Sequence, residues 1–128
     1  MNDKALQICS YEQSRRLKDI GFDWKTDVYY VREDVIHKMN KLDPYDDDYE
    51  KIHPAPSVSL GLKWFRDVKE FYGYVYRKSN GYFHAEWNVR LINGFFQCFG
   101  IEQSDLKTYK EAESYLLYDM IAFLEKSK

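Results

Sequence analysis

At 128 residues the chain suits one domain with its own core, and a single domain over 1–128 is expected. Its 45% hydrophobic and 31% charged residues are an ordinary globular composition, and a formal net charge of −2 gives no bulk attraction to nucleic acid or anionic lipid. Two cysteines, Cys9 and Cys98, make no disulfide framework, no apolar run approaches the ~20 residues of a membrane helix, and Met1-Asn2-Asp3-Lys4 lacks a signal-peptide pattern, so a cytoplasmic protein with reduced thiols is expected.

Residues 1–9 read as a short lead-in. Ser10 opens a first helix over 10–20, because Ser10 and Gln13 have capping-box spacing. Tyr11, Leu17 and Ile20 are its apolar positions. Gly21 fits the residue just past the helix end, with Phe22 as the hydrophobic contact that follows. Val28-Tyr29-Tyr30-Val31 reads as a strand, since β-branched and aromatic residues suit a half-buried pleated surface. A second strand-like piece lies near Val35-Ile36.

The stretch 41–54 reads as an exposed acidic loop. Asp43, Asp46, Asp47, Asp48 and Glu50 crowd around Pro44, Tyr45 and Tyr49, and His53-Pro54-Ala55-Pro56 ends the loop stiffly. Pro56 or Ser57 then begins a second helix over 57–71. Its stripe is Leu60, Trp64, Phe65, Val68 and Phe71, spaced by three and four residues. A third helix over 108–125 opens at Thr108, with Glu111 in the capping-box position. Ala112, Tyr115, Leu116, Met120, Phe123 and Leu124 make its wide apolar stripe.

Between these helices, residues 71–99 read as a three-strand meander closed by Asn80-Gly81 and Asn93-Gly94. Asn-Gly is the strongest short hairpin signal, because a two-residue type I′ turn needs φ > 0 at both central positions. Two-residue turns would set Tyr76 opposite Ala85, Tyr74 opposite Trp87 and Val89 opposite Cys98. One face would then hold Tyr72, Tyr74, Tyr76, Phe83, Ala85, Trp87, Val89, Leu91, Phe96 and Cys98. The other would hold Arg77, His84, Glu86, Asn88, Arg90 and Gln97, with Val75, Ile92, Phe95 and Phe99 among them. The fold class is therefore α+β, with helices packed on a mainly antiparallel sheet and the second and third helices over the aromatic face.

No constellation supplies a catalytic motif. The acidic loop lacks the glycine and alternating carboxylates of a calcium loop, so it reads as solvated. His37, His53 and His84 have no partner at i+4, and neither cysteine belongs to a Cys-x-x-Cys pair, so no zinc site, metal or cofactor is implied. His84 lies on the expected polar face as an exposed strand histidine. Cys98 is expected inside as a small apolar residue, on the opposite face from His84.

Three pieces carry a resemblance. They are Ser10 to Gly21-Phe22-Asp23 with Tyr29-Tyr30, then Ala55-Pro56-Ser57 with Leu62-Lys63-Trp64-Phe65-Arg66, then Tyr109-Lys110-Glu111-Ala112-Glu113-Ser114 before Leu116. Together they resemble a group of small uncharacterised proteins of Bacteroides-type bacteria, met in prophage and mobile-element regions. More distantly they are similar to the phage "aba sandwich" domain, a sheet between helices. The resemblance implies an α+β fold and supplies no catalytic residue. The acidic stretch 43–50 is longer than the connection it leads one to expect.

The expectation that follows is a non-enzymatic, phage- or mobile-element-associated protein. It would bind a protein partner or itself through Arg77, His84, Glu86, Arg90, Phe95 and Phe99, where apolar residues are rimmed by mixed charge. The alternative is a weak binder of single-stranded nucleic acid using sheet aromatics, disfavoured by the negative net charge. A small enzyme of unknown class has no motif behind it.

Overall fold

A computed structural model of the chain describes residues 7–24, 26, 28–32, 35–38, 53–101 and 105–126. The acidic stretch 43–50 lies outside the described residues. The chain divides into two compact units, Met1–Leu60 and Gly61–Lys128.

In the first unit, α1 (Tyr11–Asp19) is closed at both ends by the residues its sequence nominates. Ser10 Oγ accepts from the Gln13 N–H at 3.1 Å, and Gln13 Oε1 accepts from the Ser10 N–H at 3.0 Å. At the far end Gly21 takes φ 107°, its N–H donates to Lys18 O, and the Phe22 N–H reaches Leu17 O. That double closure satisfies carbonyls the helix would otherwise leave open. Leu17 and Ile20 are buried beneath it.

Three short strands follow in the order β2-β1-β3: β1 (Val28–Arg32), β2 (Val35–Lys38) and β3 (His53–Pro54), all antiparallel. His53 and Pro54, expected in the acidic loop, instead pair with Tyr30 and Tyr29. Pro54 has no N–H to donate, which confines it to a sheet edge, and β3 is an edge strand. Tyr30 is buried, donates its hydroxyl to Cys9 O at 2.8 Å and meets Tyr11 edge-on. The lead-in is also held: the Cys9 N–H donates to Pro56 O, and the Val58 N–H to Gln7 O.

Helix α2 (Val58–Lys69) starts where Ser57 Oγ accepts from the Leu60 N–H at 3.0 Å. Trp64 and Phe65 are buried as expected, while Val68 is exposed. The helix ends two residues before Phe71, because Glu70 takes φ 58° and turns the chain into β4.

The second unit holds the expected meander: β4 (Phe71–Arg77), β5 (Phe83–Arg90) and β6 (Phe96–Gly100), antiparallel in that order, followed by α3 (Tyr109–Lys126). Thr108 Oγ1 caps α3 by accepting from the Glu111 N–H at 3.0 Å, while Glu111 reaches back to the Lys107 N–H rather than that of Thr108. Ala112, Leu116, Leu117, Met120 and Ile121 are its buried side chains, and Tyr115 is exposed.

The turns correct the expected register. Lys78 pairs with Tyr82 around Ser79-Asn80-Gly81, and Leu91 pairs with Phe95 around Ile92-Asn93-Gly94. Only the glycines have positive φ, 89° and 88°, so neither turn is type I′. Each is a three-residue loop, a turn followed by a left-handed glycine, which Asn-Gly suits equally well. Asn80 Oδ1 and Asn93 Oδ1 each accept from the N–H two residues on. One extra loop residue shifts each pairing by one. Tyr74 therefore faces Glu86, Gly73 faces Trp87, and Cys98 faces Asn88.

A one-residue shift turns a strand over. Phe71, Gly73, Val75, Ala85, Trp87, Val89 and Phe99 now share the face under α3. A Cβ built on Gly73 would stand 2.7 Å from Met120 Cε and 2.9 Å from Leu116 Cδ2, so the helix sits where no tyrosine could fit. Trp87 lies 4.6 Å from Phe99, 4.9 Å from Phe71 and 5.2 Å from Phe123 between ring centroids. This aromatic cluster is the core of the unit.

Candidate interaction face

The same shift lays three tyrosines on the outer face of the sheet. Tyr72, Tyr74 and Tyr76 are 43%, 51% and 38% exposed, and Phe96 on β6 is 58% exposed. Across from them β5 contributes His84, Glu86, Asn88 and Arg90 to the same face. Tyrosine suits this position, since its ring can lie against the sheet while the hydroxyl meets water or a polar neighbour.

Glu86 organises the centre. Its carboxylate accepts from Tyr74 Oη at 2.5 Å and from Tyr76 Oη at 3.2 Å, and His84 Nε2 lies 3.8 Å away. The Tyr74 hydroxyl, followed by that of Tyr76, holds the Glu86 carboxyl below its ordinary range. The bond to Glu86 raises the Tyr74 phenol; Tyr76 is raised first by desolvation and then by its own bond to Glu86. The Tyr74 and Tyr76 rings stack at 6.0 Å, and His84 meets Tyr76 edge-on at 5.5 Å.

Of the six residues singled out from sequence, His84, Glu86 and Arg90 share this open face. Arg77 pairs with Phe83, on the strand positions that face the other way. Phe95 is 72% exposed but sits in the β5–β6 turn. Phe99 is not part of the face at all, being stacked on Trp87 in the core. Cys98, expected inside and opposite in face to His84, is exposed and on the same face. Tyr72, Tyr74, Tyr76 and Phe96 were placed inside by the two-residue turns. The signal for the correct assignment was the alternation Phe71-x-Gly73-x-Val75 beside Tyr72-x-Tyr74-x-Tyr76, where only the first set has a residue that admits a helix at close range.

No three His, Cys, Asp or Glu side chains converge as a metal site would need among the described residues. No helix among them is long and apolar enough to cross a membrane. No family model matches the chain, and neither a curated protein nor a solved structure matches it.

Proposed function

We propose that the chain is a non-enzymatic protein that associates with a second copy of itself through the open face of the β4–β5–β6 sheet. The observation that carries this reading is the exposure of Tyr72, Tyr74, Tyr76 and Phe96 on one side of a sheet whose other side packs against α3. Aromatic residues with arginine are the composition enriched at protein interfaces, and isolated apolar rings would be ordinary where a contiguous set is not. The face also carries one carboxylate and one guanidinium, Glu86 and Arg90. A surface holding both signs can complement itself, which a surface of one sign cannot. A phage or mobile-element setting enters from the sequence resemblance alone.

Light scattering across a concentration series tests this. Mass should rise toward that of a dimer, and Tyr74→Ser with Phe96→Ser should return it to a monomer while the circular dichroism of the fold is kept. A wild-type monomer at every concentration would overturn the reading.

One observation favours a second reading. Three tyrosines at successive same-face positions are a stacking surface for single-stranded nucleic acid. Against it, Glu86 lies among those rings and engages two of their hydroxyls. Binding of a labelled oligonucleotide that weakens as salt rises would support it, and no binding at low salt would remove it.

A further inference from the structure

The open face is laid out in rows across the three strands. Tyr72, Asn88 and Cys98 form the middle row. On one side lies the row of Tyr74, Glu86 and Gly100. On the other, Arg90 stands beside Phe96. The two flanking rows are complements. One offers a carboxylate and a position with no side chain, the other a guanidinium and an exposed ring. Arg90 has no ion-pair partner among the described residues. The Glu86 side chain remains 39% exposed and has acceptor capacity to spare. At Gly100 a Cβ would stand 3.5 Å from His84 Nε2, so the gap is floored by an imidazole.

We propose, resting on the self-association reading above, that two copies meet face to face about a twofold axis running along the Tyr72–Asn88–Cys98 row. Such an axis reverses the strands and lays each flanking row over its complement. Arg90 of one copy meets Glu86 of the other, and Phe96 seats over Gly100 against His84. Each contact occurs twice, as an isologous interface requires. Cys98 lies over its own counterpart near the axis. Packed sheets stand about 10 Å apart with strands aligned to within about 30°, so these central matches survive the twist. The other twofold, along β5, would put Glu86 over Glu86 and Arg90 over Arg90, and like charges reject it.

The test combines charge exchange with crosslinking of the full chain. Arg90→Glu and Glu86→Arg should each raise the dimer dissociation constant by about tenfold or more, and the double exchange should restore it. Gly100→Leu should weaken the dimer by filling the seat. A short bismaleimide should join wild-type chains through Cys98, with no product from Cys98→Ser. The crosslink uses unaltered protein, so it stands even where a variant fails to fold. A dimer with no Cys98 crosslink, or with no rescue by the double exchange in a folded protein, would overturn this arrangement and leave self-association intact. A strict monomer would overturn both.

Discussion

The Trp87 indole N–H donates to Asp119 Oδ2 at 2.7 Å, which ties the middle strand of the meander to the helix that covers it. Trp87 is almost fully buried, so its N–H has no water to turn to. Asp119→Ala should destabilise the protein by about 1–3 kcal/mol, the cost of an orphaned buried donor. Asp119→Asn keeps an acceptor oxygen and should lose less. The urea midpoint measures both, and an unchanged midpoint in the alanine variant would show that the bond contributes nothing.

At Gly73 α3 comes close to the β4 backbone. A single methyl there already crowds the flexible ends of Met120 and Leu116, which can yield a little. A branched side chain leaves them nowhere to go. Gly73→Val should cost about 1–3 kcal/mol through overpacking, despite valine's preference for strands. Thermal unfolding reads this, and a stabilised variant would mean that the helix stands farther off.

The two cysteines should differ sharply in reactivity. Cys9 is buried, and burial pushes its thiol up to about 12. Cys98 is exposed on the open face. At low protein concentration and neutral pH, a water-soluble alkylating reagent should label Cys98 alone, with Cys9 following only on unfolding. Mass spectrometry of the labelled peptides decides this.

The Glu86 cluster should respond at both ends of the pH scale. The Glu86 carboxyl titrates below its ordinary 4.5. Its contribution is therefore complete above that value and lost as pH falls through the depressed one. The Tyr74 and Tyr76 phenols titrate above their ordinary 10.0. Their contribution is complete below that value and lost as pH rises through the raised ones. Phenolate absorbance should show Tyr74 and Tyr76 among the late-titrating tyrosines, together with Tyr30 and Tyr109, and Glu86→Gln should bring Tyr74 earlier. No difference between the two proteins would mean that the hydroxyls do not engage the carboxylate.

Much of this architecture is legible in the sequence because its determinants are local. Ser10 with Gln13, Gly21 with Phe22, Ser57 and Thr108 are capping choices that act within a turn of their helix, and each does what its spacing implies. The order of three helices and the meander follows from them. The sheet's inner face was not legible from its turns. Asn-Gly serves two loops that differ by one residue, and nothing within either turn separates them. The deciding interaction is long-range, the approach of Met120 and Leu116 to Gly73. The candidate face inherited that ambiguity. His84, Glu86 and Arg90 lie on β5 and kept their side, whereas Phe99, Phe96 and the tyrosines lie on the flanking strands and exchanged theirs.

Loop length in this sheet works as a parity bit. Removing Ser79 alone would leave every hydrophobic residue of β4 in the chain and yet present phenol rings to a helix shaped around a glycine. Conservative changes of side chain on either surface are thus milder events than a single-codon deletion in a turn that lies outside the core.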